Sequence, residues 1–121
     1  MKMEAHHILH DRVQWSARKE AHALRSMPAL IQRIDHDSHR ELHANVPAVP
    51  VLGFHALRHT LNAFEPGRTA NQNIDNLLVA MEAARDHPRA HDIERNLADL
   101  AIIAVDLQRP FIRAGQLRSV R

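Results

Sequence analysis

Apolar residues recur along this chain at spacings of three and four, the signature of amphipathic helices, and no stretch alternates long enough to suggest a strand. The pattern is strongest over residues 92–107. There Ile93, Leu97, Leu100, Ala104, Leu107 and Phe111 fall on one face of a helix, while Ala98, Ile102 and Val105 fall on another. A helix apolar on two flanks is either central in a bundle or shared with a partner. Its remaining seam is polar: Asp92, Asn96, Asp99 and Asp106. Pro110 should end it near Arg109, because proline disfavours a helical residue before it.

The other elements are arranged around that hub. Residues 4–26 read as a helix with Leu9, Val13, Ala17 and Leu24 on one face. Ile8, Trp15 and His22 repeat every seventh residue on a different side. That row is either the bundle's edge or a stripe facing a partner, since tryptophan is enriched among interface hot spots. Pro28 suits the first turn of a second helix, reaching about Ala44 with Leu30, Ile31, Ile34 and Leu42 inward. Pro47 and Pro50 make the next stretch an extended crossover. Phe54, Leu57, Leu61 and Phe64 predict a short third helix, closed by the turn-forming Glu65-Pro66-Gly67-Arg68. Thr69 with Gln72 fits a capping box, and Ile74, Leu77, Leu78, Met81 and Ala84 give the fourth helix one clean apolar face.

The fold these elements predict is all-α. It is a single-domain bundle of four to five mostly antiparallel helices over residues 1–111, with one Pro-rich crossover and a basic tail over 112–121.

Composition narrows this picture. With 121 residues, 45% of them hydrophobic, the chain can bury a core as one domain. Trp15, Phe54, Phe64 and Phe111 are its aromatic residues, too sparse for a base-stacking surface. The lack of cysteine excludes disulfides and thiolate chemistry and fits a reducing compartment. No apolar signal core or membrane-length run is visible, which predicts a soluble cytoplasmic protein with no membrane contact. Lys2 and Lys19 apart, the 16 basic residues are arginines, yet the net charge is only +2.

Histidine is the anomaly: eleven residues, most in pairs four apart, His6/His10, His39/His43, His55/His59 and His87/His91. Such a pair on a helix can share a zinc ion. By helical phase, His36, His39 and His43 should face solvent, as should His55 and His59. His6 and His10 lie on the core side and are the candidate metal ligands, with Asp99 or Asp106 as a third. Exposed imidazole titrates near about 6.5. Protonating all eleven would therefore add eleven charges to the +2, predicting a melting temperature that falls between pH 7 and pH 5.

Two local resemblances bear on catalysis. Arg85-Asp-His-Pro-Arg-Ala-His91 resembles the Arg/His heptapeptide of the HEPN ribonucleases. That resemblance implies Arg85 and His91 acting on RNA, although Pro88 interrupts the pattern. Residues 96–103 look like the last helix of the all-α nucleotide pyrophosphohydrolases. Asn96 and Val79 stand where that family carries acids, a poor basis for magnesium. Ser16, Ser26, Ser38 and Ser119 sit in no nucleophile elbow.

No cofactor site and no convincing catalytic set emerge, so the reading leans away from an enzyme. The sequence favours a small interaction protein, a regulator, inhibitor or assembly factor that binds a protein partner. A phage or mobile-element origin suits such a protein. Its interface would comprise Ile8, Trp15, His22, Ala98, Ile102 and Val105, with self-association through the last three. Two alternatives remain. One is nucleic-acid binding through Arg109, Arg113, Arg118 and Arg121, or RNA cleavage through Arg85 and His91; the other is a histidine-based metal-binding bundle.

Overall fold

The structure, a computed structural model, describes residues 3–9, 13–15, 24–46, 49–52, 54–113 and 118–119. It corrects the all-α expectation. The chain is mostly helical but of the α+β type, because segments expected to be helical form β-strands. Strand β1 (Met3–His7) pairs antiparallel with β3 (Ile31–Asp35), and β5 (Arg118–Ser119) joins the far edge of β3. Strands β2 (Val13–Trp15) and β4 (Val49–Leu52) form a separate parallel pair. Helices α1 (His36–Asn45), α2 (Phe54–Ala63), α3 (Ala70–Arg85), α4 (Asp92–Asp106) and the short α5 (Arg109–Arg113) complete the order.

The strands escaped the helical reading for a physical reason. Along β1 the inward row is Glu4, His6 and then Ile8, so polar residues occupy positions where a strand's apolar rhythm would show. Along β3, Gln32 points inward beside Ile34, whereas Ile31 is half exposed. Register places His6 directly opposite Gln32, and both are buried. In place of the expected helix over 4–26, Met3–His7 and Val13–Trp15 are strands, while residues 24–25 are helical; the helix expected over 28–44 is replaced in its first half. Within the second, Pro28–Leu30 is a single 3-10 turn, β3 follows, and only His36–Asn45 is α-helical.

Asp35 starts that helix. Its carboxylate accepts a 3.1 Å hydrogen bond from the Ser38 amide, the N-cap arrangement that satisfies one of a helix's orphan donors. The Ser38 bonds hold the Asp35 carboxyl below its usual range. A depressed carboxyl pKa contributes stability above the ordinary value and loses it as pH falls. Asp35→Ala is thus expected to lower the melting temperature by a few degrees near neutrality. The gap from wild type should begin to narrow only as pH drops below 3.8, a comparison thermal melts can make.

The helical half follows the sequence more closely. Thr69 and Gln72 form the capping box at the start of α3, and Asn73, buried, accepts a 2.7 Å bond from the Gly67 amide. A side chain at Gly67 would put its Cβ 2.7 Å from that of Gln72, so the loop's close approach requires glycine. Helix α3 packs on α2 and α4 and buries Ile74, Leu77, Leu78, Ala80, Met81 and Ala84. It, and not residues 92–107, is the centre of the helical layer.

Helix α4 contributes Ala98, Ala101, Ala104 and Val105 to the core. Its larger residues Ile93, Leu100 and Ile103 face outward. Small residues let two helices approach closely, which explains why the alanine face won. Arg109 bonds to Asp75 near the start of α3, while Arg85 at its end bonds to Asp99, so α3 and α4 run antiparallel. No described helix is long and apolar enough to cross a membrane.

Candidate metal centre

Three histidines converge where β1 meets α1. His6 comes from the strand and is buried; His39 and His43 come from successive turns of the helix and are half-buried. Because β3 leads directly into α1, the antiparallel pair and the helix form one strand–strand–helix unit. Residues four apart lie on one helical face, so placing His39 over β1 places His43 there as well. Ser38 and Leu42, one position ahead of each, anchor that side of α1 in the interior.

One ligand nitrogen from each ring can be chosen so that all three lie within 4.8 Å of one another. His6 Nδ1 and His39 Nε2 are 3.2 Å apart. Zinc–imidazole bonds of about 2.05 Å in tetrahedral geometry put ligand nitrogens about 3.3 Å apart, so this pair already has that spacing. The His39 and His43 rings sit edge to face with centroids 4.1 Å apart, and those of His6 and His43 are 5.6 Å apart. The donor set suits zinc or a neighbouring divalent transition metal better than magnesium or calcium, which take oxygen.

The surroundings resemble an outer ligand shell. Glu4, on the same inward row as His6, accepts from His39 Nδ1 at 3.3 Å and from His36 Nδ1 at 3.0 Å. The His36 bond, then that of His39, holds the Glu4 carboxyl below its ordinary range, so it is an acceptor at neutral pH. On the other side, Gln108 Oε1 lies 2.8 Å from His6 Nε2. Gln32, opposite His6, donates to the Ala29 carbonyl, and its buried Oε1 has no hydrogen-bond partner among the described residues. An acceptor orphaned in this way beside a buried imidazole marks a polar chamber, not a hydrocarbon one.

Among the described residues, the structure brings only His6 of the expected ligands to this place. His10 lies outside the described residues. Asp99 pairs with Arg85 at 3.1 Å and Asp106 with Arg109 at 2.7 Å, so both acids serve ion pairs on the helical layer. The expectation that His39 and His43 face solvent is corrected. Ile31 and Ile34, which set the helical phase of a helix from Pro28, belong to β3, and α1 begins only at His36 and turns those rings toward β1. The usable signal was the spacing of His39 and His43 itself, which matches the H-x3-5-H half of zinc sites.

The remaining candidates are dispersed. Arg85 is bound by Asp86 at 2.9 Å and by Asp99, which together raise its pKa further, while His91 is the N-cap of α4. His87 instead meets His59, with ring centroids 4.1 Å apart, and its Nδ1 accepts from the Arg89 amide. Arg109 bonds to Asp75, Asp106 and Asn71, with Asp75 the main cause of its raised pKa. It ties α3 to the end of α4. Arg118 pairs through its backbone with Arg33. The side chains of Arg113 and Arg118, and Arg121, lie outside the described residues.

Of the expected interface, Ile8 is buried beside the sheet, and Ala98 and Val105 face this chain's own core, with Ile102 partly buried against it. Trp15 lies in β2; its side chain and His22 lie outside the described residues. Comparisons with protein-family models, curated proteins and solved structures found no match for this chain.

Proposed function

We propose that this protein is a metal-binding domain, with one divalent transition-metal ion, zinc or a close analogue, held by His6, His39 and His43. The convergence of three imidazoles from a strand and an adjoining helix carries this reading. Structural zinc sites are closed by four protein ligands, whereas the three that converge among the described residues leave a position for water, the arrangement of hydrolytic centres. Half-buried His39 and His43 give that position access to solvent. A metal there would lower the pKa of its water and supply hydroxide near neutrality. The chain's own part is to orient the rings and to keep Glu4 at the rim. Equilibrium dialysis with elemental analysis should find one zinc per chain, and cobalt substitution should give the visible spectrum of a four- or five-coordinate ion. Absence of stoichiometric uptake at neutral pH retires the proposal.

A second reading keeps the interaction protein but moves its surface. Ile93 is 72% exposed and Ile103 53%, with Leu100 between them at helical spacing and Val79 of α3 at 65%. Large apolar residues exposed along α4 suit a docking face for a second copy. Ile93→Asp/Ile103→Asp is expected to leave stability within about 0.5 kcal/mol and to shift any oligomer to monomer in light scattering. A wild-type protein that is monomeric at all concentrations removes this reading.

A further inference from the structure

The ring nitrogens that face the metal position are selected from outside it. Gln108, fully buried and just beyond α4, donates its amide nitrogen to the Ile8 carbonyl at 2.9 Å and to the Ala104 carbonyl at 3.1 Å. Two carbonyl acceptors fix which end of the amide is nitrogen, so its Oε1 is the atom 2.8 Å from His6 Nε2. An amide oxygen only accepts; His6 Nε2 must therefore carry the proton. Neutral His6 then has its lone pair on Nδ1, the nitrogen turned to His39. The Glu4 carboxylate likewise requires a proton on His39 Nδ1, which leaves the lone pair on Nε2. Two imidazole lone pairs thus face each other across 3.2 Å, an arrangement that needs a proton or a cation between them.

Building on the metal-binding reading, we infer that Gln108 is a positioning residue that makes His6 bind metal through Nδ1, and that Glu4 does the same for His39 through Nε2. An outer partner that fixes a ligand's tautomer typically contributes about 10–100-fold to metal affinity. Gln108 lies 102 positions from His6 in sequence, so the strand that supplies the buried ligand is competent only when the helical layer is docked on it.

Histidine-selective 15N–1H long-range NMR spectra of the full-length, metal-free protein read the tautomers directly. Wild type is expected to show His6 protonated at Nε2. Gln108→Met, which fills the space but accepts no such bond, should lose that preference and weaken zinc binding about 10–100-fold. Gln108→Glu keeps an acceptor and should retain the preference if Gln108→Met fails to fold. Wild-type His6 protonated at Nδ1 and not at Nε2, or a folded Gln108→Met with unchanged tautomer and zinc affinity, overturns the inference. The expected tautomers without zinc uptake would support the positioning role and sink only the metal reading.

Discussion

Zinc supplied at one hundred times its dissociation constant is expected to stabilise the wild-type protein by about 2.7 kcal/mol, because it binds the folded chain and not the unfolded one. For a domain of this size that corresponds to roughly 10 °C in melting temperature. The unfolded chain scatters His6, His39 and His43, so the three-histidine cluster exists only when β1 is seated against α1. His43→Ala should abolish most of the shift. Losing a ligand ought to exceed the about 10–100-fold that losing an outer-shell partner costs.

His43 is the better choice for this test than His6. It is half-buried, whereas His6 is buried and hydrogen-bonded to Gln108, so removing His6 would disturb the fold directly. His36→Ala is the matched control: its ring is mostly exposed and touches Glu4, but it is not one of the three converging histidines. Differential scanning fluorimetry with and without zinc, then with chelator, gives the answer. Equal shifts in wild type and His43→Ala would place the ion elsewhere.

Leu77→Ala should be the most damaging single core change, costing about 2–5 kcal/mol. Leu77 is fully buried in the middle of α3, the helix that packs on both α2 and α4. Deleting its branched end removes apolar contact and leaves a cavity between rigid helices that cannot collapse to fill it. Urea denaturation should show a lower midpoint with an unchanged slope. A comparable truncation at the outward-facing Leu100 should cost far less, since that side chain keeps 36% of its surface in water. Equal losses at the two positions would contradict the assignment of α3 as the centre.

Much of the helical half was legible because local rules and tertiary packing agree there. Thr69 and Gln72 announced the start of α3, Pro66 and Gly67 the turn before it, and the spacing of Ile74, Leu77, Leu78 and Met81 its buried face. Residues 92–107 form the helix their spacing predicts, but α3 and not this helix is central to the layer. Periodicity reports that flanks are apolar, not how wide an arc is covered; packing buries Ala98, Ala104 and Val105, drawn from both flanks, and leaves Ile93, Leu100 and Ile103 outward. The site was only partly visible. His6 was singled out, but Glu4, Gln32 and Gln108 were not, since nothing in the pattern connects residues so far apart.

The sequence by itself determined a helical layer with its caps, a chain able to bury a core, and histidines at metal-ligand spacing. Tertiary structure alone decided that the first third of the chain contains strands, that α1 turns His39 and His43 toward His6, and that Gln108 closes the back of the cluster. The physical reason is the same in each case. A strand whose inward row is Glu4 and His6 carries no apolar alternation to read, because those polar side chains are stabilised only by partners from distant segments.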